Sequence, residues 1–388
     1  MKDVASVVKW LADGARSAPN AEDVLADLCA RLVDCGIPLW RAAVFVRTLH
    51  PEVMGRSFVW QAQSGVKVSA AAFELMDTAD YRDSPVVAVY ASGMPIRRRL
   101  ADSDCPDDFP IVHELRAEGA TDYVAFPLIF TDGAIHVVTC STRQPGGFTP
   151  GQFSDLESVV LPLARVAEIR ALRRTAANLL DTYVGHHTGE RILAGKIRRG
   201  DVEAIRAAIW LSDMRGFTTL SERLPPRAMI DLLNGYFGAQ VPAIVDHGGE
   251  VLKFMGDGLL AIFPVAPDTD AGATCRRALS CALAARARIA ALPRQDDSEA
   301  ATRFGLALHI GEVMYGNIGG GNRLDFTCIG PAVNLAARLE KIAAKLGETI
   351  VASADFASCS PDELVRRGEF PVAGFAAPQV VYGLAAGK

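Results

Sequence analysis

Two aspartates stand where a carboxylate could hold a metal-bound nucleotide. Asp213 ends an apolar, strand-like run in LSDMRGFT, and Asp257 sits in KFMGDG, the expected tip of a hairpin. In a βαββ palm the end of the first strand and the tip of the following hairpin lie side by side. Two carboxylates there, with open backbone around Gly216, Gly256 and Gly258, suit Mg²⁺ bound to a nucleoside triphosphate. Taken singly, each aspartate has the commoner role of a turn residue. Asn334 and Arg338, in GPAVNLAARLE, are four apart on an expected helix and share one face. Such a pair is usually only solvated, but phosphoryl transfer needs donors aimed at developing charge and at a ribose oxygen. Lys253 stands three residues before Gly256, and Thr327 three before Gly330. A lysine donor and a hydroxyl near one pocket could read a purine edge; the plain alternative for Lys253 is an exposed charge on a strand.

These residues need elements to carry them. Ile205 to Ser212 reads as a buried strand. Pro226 can occupy the first turn of a helix ending near Gly248-Gly249, with Pro242 expected to kink it. Glu250 to Phe254 and Leu259 to Phe263 are strands joined by MGDG. An Ala-rich helix is expected from about Asp268 to Leu292, stopping at Pro293. Arg303 to Ile310 alternates as a strand, Gly330-Pro331 opens a helix through Leu346, and Val380 to Leu384 is a last strand. The order strand–helix–hairpin–helix–strand–helix is that of a ferredoxin-like α+β palm.

LSDMRGFT, KFMGDG and FTCIGPAVNLAARLE, in this order and spacing, resemble the catalytic domain of class III adenylate/guanylate cyclases over roughly Ile205 to Leu384. The resemblance implies conversion of ATP to cyclic AMP and pyrophosphate, with attack by the ribose 3′-oxygen on the α-phosphate. It implies that Asp213 and Asp257, with the backbone at Met214, bind Mg²⁺ or Mn²⁺, two per active site. The backbone around Gly216, Phe217 and Thr218 would cradle the triphosphate. Lys253 and Thr327 would select adenine, Asn334 would orient the ribose, and Arg338 would stabilise the transition state. The family pairs two catalytic domains head to tail, so the resemblance implies a homodimer with two equivalent shared sites.

Guanylate cyclases typically carry Glu at the Lys253 position and Cys three before the glycine. Here Cys328 is two before Gly330, and the register places Thr327 there. Ala373, in VAGF, stands where the family often has a phosphate-touching lysine, and Pro331 stands where many members have Asp. Gly248-Gly249-Glu250 resembles the start of the diguanylate cyclase signature, but Val251-Leu252 follow it. Guanylate cyclase and a non-catalytic nucleotide-binding signalling module are the alternatives.

Residues 1–152 mix helix and strand. Asn20 caps an expected helix bearing Val24, Leu25, Leu28, Leu32 and Val33. Strands are expected at Arg41–Thr48, Arg56–Ala62, Val86–Tyr90, Asp122–Phe130 and Ala134–Thr142, the last two flanking a Thr131-Asp132-Gly133 turn. By element order alone this zone resembles a GAF-like sensor domain for an unknown small-molecule or protein signal. Trp40, Trp60, Tyr81 and Tyr90 read as core and surface aromatics, and Cys105, set among acids, as an unreactive thiol. Residues 153–199 read as a long helix with a break. This fits an amphipathic stalk, paired between two chains or packed on its own domain. Its Tyr183 to Asp201 stretch resembles the transducer segment of bacterial cyclases, with His186 and His187 a solvated pair. Residues 200–388 form the cyclase-like domain.

Composition bounds the rest. The chain has 388 residues, 50% hydrophobic and 22% charged, which is globular rather than disordered. A net charge of −5 does not favour a nucleic-acid partner. The longest run without Asp, Glu, Lys or Arg is the 18 residues Phe370 to Gly387, broken by Pro371 and Pro378, so no membrane span is expected. The N-terminus lacks the apolar core of a secretion signal. Eight scattered cysteines without a CxxC pair suit buried thiols in a reducing cytoplasm.

Overall fold

Side chains that satisfy orphan backbone donors set the first helices. In the computed structural model, which describes residues 3–51, 53–266, 269–292, 303–321, 323–359 and 363–385, Asp3 caps α1 (Val4–Ala12), a helix not among those expected, which buries Val4, Val7 and Leu11 at helical spacing. Asn20 caps α2 (Ala21–Asp34), its Oδ1 accepting from the Asp23 N–H at 2.8 Å. Val24, Leu25, Leu28 and Leu32 are buried along α2, whereas Val33 faces out.

The chain divides into two units, Met1–Leu179 and Leu180–Lys388. The first is built on β1 (Arg41–Arg47), β2 (Val53–Gln61) and β3 (Gly65–Ala72), then α3 (Ala79–Arg82), α4 (Pro85–Ser92), β4 (Ile96–Arg98), α5 (Pro110–Ala117), β5 (Asp122–Ile129) and β6 (Ile135–Thr142). The strands form an antiparallel sheet in the order β3-β2-β1-β6-β5-β4. Val86–Tyr90, expected as a strand, is helical within α4. Its β-branched run favours a strand, but Ser84 accepts from the Val87 N–H at 3.3 Å and Pro85 occupies the first turn, so the helix start wins. Long helix α6 (Pro150–Val184) buries Leu156, Val159, Leu163, Ala164 and Val166 in the first unit's core. Gly185, at φ +85°, ends it, and α7 (His186–Leu193) follows.

The second unit continues with β7 (Val202–Met214), α8 (Phe217–Arg223), α9 (Pro226–Asp246), β8 (Glu250–Met255), β9 (Gly258–Pro264) and α10 (Ala271–Ala290). Then come β10 (Phe304–Gly320), β11 (Arg323–Ile329), α11 (Pro331–Leu346), β12 (Ile350–Ser353), α12 (Ala354–Ala357), β13 (Leu364–Phe370) and β14 (Gln379–Leu384). The sheet order is β13-β14-β12-β10-β7-β9-β8, with β11 paired to β10. Its run β10-β7-β9-β8 is antiparallel throughout, which is the ferredoxin-like arrangement. Alternation along β7 splits the core. Ala208 and Trp210 pack with Tyr236 and Ile244 of α9 and Ala278 and Leu279 of α10, while Ala207 and Ile209 face Ala332 and Ala336 of α11. Helix α9 runs on through Pro242. The expected limits Asp268 and Pro293 of the Ala-rich helix lie outside the described residues. No helix of the described residues is long and apolar enough to cross a membrane.

Candidate functional site

β7 and the β8–β9 hairpin bring the two aspartates together. Ser212 pairs with Leu259 and Met255 with Gly258, so Asp213 projects from the strand end beside the two-residue turn Gly256-Asp257. Gly256 has φ +69°, the left-handed value that suits glycine at the first central position of a II′ turn. A Cβ on Gly258 would sit 3.4 Å from Asp213 Oδ1, so a bare backbone lies against the carboxylate. Behind Asp213, buried Ser212 donates to Gln240 Oε1 at 2.7 Å and accepts from Trp210 Nε1 at 3.3 Å, which fixes the strand end against α9.

The Asp213 carboxyl is pushed up to about 7. Burial is the largest cause, followed by a hydrogen bond and repulsion from Asp257, then by Glu340; Arg215 opposes them. Two carboxylates share one half-buried spot without enough compensating positive charge. Among the described residues no group of three or more His, Cys, Asp or Glu is set to hold a metal. Two carboxylates side by side are oxygen donors of the kind a hard cation takes when phosphate and water fill its other positions.

Arg215 and Glu340 are members of this neighbourhood that their spacing in the sequence does not reveal. Arg215 Nη1 lies 3.5 Å from Glu340 Oε1, and Nη2 donates to the Glu348 carbonyl at 3.3 Å. Both side chains cross over Gly305, which pairs with Asp213. A Cβ there would come within 2.6 Å of the Glu340 carboxylate.

The remaining anticipated residues divide as follows. Met214 is buried in the core, and Phe217 packs partly against it, so only their backbone atoms can serve a ligand. Gly216, at φ +74°, opens α8, and Thr218 is exposed. Lys253 lies on β8 just after a register shift that leaves Leu252 extra and buried. Its Nζ is 3.6 Å from Asp325 Oδ2 on β11. Thr327 lies two residues on along β11 and is 3% exposed, and its Oγ1 is buried with no hydrogen-bond partner. A buried hydroxyl normally has a partner, so this one marks a place where an incoming polar group would be satisfied. Next to it Cys328 is pushed up to about 11 by burial, with Lys253 acting in the opposite sense. Asn334 and Arg338 stand on the exposed face of α11, whose other face buries Ala332, Leu335, Ala336 and Leu339. Neither side chain makes a hydrogen bond or ion pair among the described residues, the Asp213–Asp257 pair included.

Ala373 is exposed between β13 and β14, beside buried Val372. His186 lies 3.3 Å from both Asp181 and Glu190 and is 63% exposed, as a solvated residue would be. The N-terminal end of α7 is tied to the root of β8. Glu250, which is buried, accepts from the Thr188 N–H at 3.1 Å, from Thr188 Oγ1 at 2.8 Å and from the Tyr315 hydroxyl at 2.7 Å.

Residues 203–385 match the model of the family described as adenylate and guanylate cyclase catalytic domain. The chain is similar to adenylate cyclase 1 of Rhizobium meliloti (strain 1021), 34% identical over 148 residues, covering 37% of this chain and 21% of that protein. It is also similar to an adenylate cyclase of Anabaena cylindrica, 32% identical over 165 residues, covering 40% of this chain and 31% of that protein. The chain thus spans under a third of the length of these curated relatives. Among solved structures, the adenylyl cyclase CyaB from P. aeruginosa is 29% identical, with a TM-score of 0.41 over 48% of this chain and 97% of that one.

Proposed function

We propose that this chain, whose residues 203–385 form an adenylate and guanylate cyclase catalytic domain, is an adenylate cyclase converting ATP to 3′,5′-cyclic AMP and pyrophosphate. The observation that carries the reading is the crowded Asp213–Asp257 pair, accompanied by Lys253 of β8, the strand that leads into the Asp257 turn, which meets β11 two residues before the unsatisfied hydroxyl of Thr327.

Asp213 and Asp257, with the Met214 backbone, would hold Mg²⁺ or Mn²⁺, two per active site. When bound, the cations supply positive charge at the triphosphate and acidify the ribose 3′-hydroxyl. The chain's own residues do the rest. Backbone N–H groups from Gly216 to Thr218 bind phosphate oxygens. Lys253 and Thr327 hold the adenine edge. Asn334 orients the ribose so that its 3′-oxygen lines up with the α-phosphorus. As the new P–O bond forms, the bond to pyrophosphate breaks and the 3′-hydroxyl proton passes to water. Arg338 balances the charge that builds on the α-phosphate oxygens. Asn334 and Arg338 are exposed and unengaged, as expected if they complete the site of a second copy in a homodimer.

In this reading residues 1–152 are a GAF-like sensor for an as yet undefined signal, and residues 153–199 are the stalk and transducer that carry its state to the catalytic domain. The protein works in the cytoplasm, where ATP is available. Ala373, exposed where a lysine is common in the family, favours a second reading: a module that binds nucleotide without turning it over.

The deciding experiment offers ATP and GTP separately to the purified chain, with Mg²⁺ and then Mn²⁺, and resolves the products by chromatography. Cyclic AMP from ATP supports the proposal. Cyclic GMP instead points to guanylate cyclase. No cyclic nucleotide from the full chain or from residues 200–388 favours the binding module.

A further inference from the structure

We propose that the first unit contains a binding site for an organic acid: one anionic head on an apolar body, about a dozen non-hydrogen atoms in all. The site is a cavity of about 350 Å³ between α2, the α2-facing side of β1 and β2, and α6. That volume lies within the range of small-molecule pockets.

The floor and the mouth have different chemistry. Val24, Leu25, Val44, Leu163 and Val166 form an apolar floor, each no more than 7% exposed. At the mouth stand four guanidinium groups, Arg56 from β2 and Arg170, Arg173 and Arg174 from α6, against a single carboxylate, Glu22. Arg170 is fixed in place, donating to the Pro19 carbonyl at 2.5 Å and to the Ala18 carbonyl at 2.6 Å. The guanidinium groups of Arg56, Arg173 and Arg174 make no hydrogen bond or ion pair among the described residues. An apolar body would gain by leaving water, and a carboxylate would gain a planar, charge-assisted partner. A neutral ligand would use only the floor.

A second copy of α6 is the competing occupant, and the helix argues against it. Leu161, Ile169 and Leu172, each about half exposed or more, share one side of α6. At about 100° per residue they lie within an arc of about 80°, whose centre is about 140° from that of Leu163, Val166, Arg170 and Arg174. A paired stalk would use that apolar side and leave the cavity open. Seating a second copy over the mouth would set guanidinium against guanidinium.

The test is calorimetric titration of the full chain with decanoate, 1-decanol and decyltrimethylammonium. Expected are saturable decanoate binding at one per chain and at least about tenfold weaker binding of the other two. In the Arg56→Gln/Arg173→Gln/Arg174→Gln variant, decanoate should weaken by about tenfold or more while decanol is unchanged. Ala171→Trp, which fills the cavity, should abolish both, with circular dichroism confirming the fold of each variant. Equal affinity for decanoate and decanol, unaltered decanoate binding in the arginine variant, or no binding at all overturns the proposal. So does an Ala171→Trp chain that changes oligomeric state in sedimentation while decanoate fails to bind the parent, since the cavity is then the seat of a second copy. Every readout is binding or assembly, so the result stands whether or not the cyclase reading does.

Discussion

The carboxyl of Asp213, at the end of β7, stands against the Asp257 turn between β8 and β9, and is pushed up to about 7 by burial and by that neighbour. Like charges are held together before any cation arrives, which costs the fold stability and prepares the spot for positive charge.

Removing one carboxylate should separate stability from activity. Asp257→Asn should leave the melting temperature of the cation-free protein unchanged or raised. The same change should lower cyclic AMP formation by at least about a hundredfold. Thermal unfolding without divalent ions, run alongside a product assay, checks both. A marked drop in melting temperature would contradict the crowding.

The same pair sets a pH dependence. Asp213 binds its proton more tightly folded than unfolded. Its contribution to stability is therefore full below the ordinary carboxylate range and is lost as pH rises towards about 7. Cation binding requires the ionised form. Saturating Mg²⁺ should therefore raise the melting temperature more at about pH 8 than at about pH 6. Asp213→Asn should flatten that difference.

Base choice should follow Lys253 and Thr327. Lys253→Glu combined with Thr327→Cys should raise the GTP-to-ATP turnover ratio by at least about tenfold. Asp325→Asn, by contrast, removes an exposed partner of Lys253 at 3.6 Å. It should alter KM for ATP by no more than about threefold, because exposed pairs contribute little. Steady-state kinetics with both nucleotides distinguishes the two effects.

If Asn334 and Arg338 serve the partner's metal pair, inactive chains should rescue one another. Asp257→Ala mixed with Arg338→Ala leaves one intact site in each heterodimer. Random pairing should return about a quarter of parental activity. Heterodimers confirmed by dual-tag purification but still silent would rule out a shared site.

Glu250 should matter without touching substrate. Glu250→Ala strips acceptors from the Thr188 N–H, Thr188 Oγ1 and the Tyr315 hydroxyl, all buried. Urea unfolding should show a loss of about 2–4 kcal/mol, against about 1 kcal/mol for Tyr315→Phe.

Local rules carried much of this protein in its sequence. Asn20 before an apolar helix, the MGDG turn, and Pro331 opening the helix of Asn334 and Arg338 are short-range features, and the structure forms each of them. The βαββαβ order followed, because alternating periodicities leave few arrangements of strands and helices. Strands without their own periodicity, such as β12, four residues long, and β13, were not legible, because neighbours rather than propensity hold them in the sheet. Val86–Tyr90 failed for the opposite reason: a β-branched run overruled by Ser84 and Pro85 at its start. What the sequence could not state is what burial and long-range approach decide. Arg215 meets Glu340 across Gly305, Lys253 meets Asp325 from another strand, and Thr327 is sealed without a partner. Residue type and spacing named the aspartates, but only the tertiary fold lowers the local dielectric and sets Asp213 against Asp257, and that raises the pKa of its carboxyl.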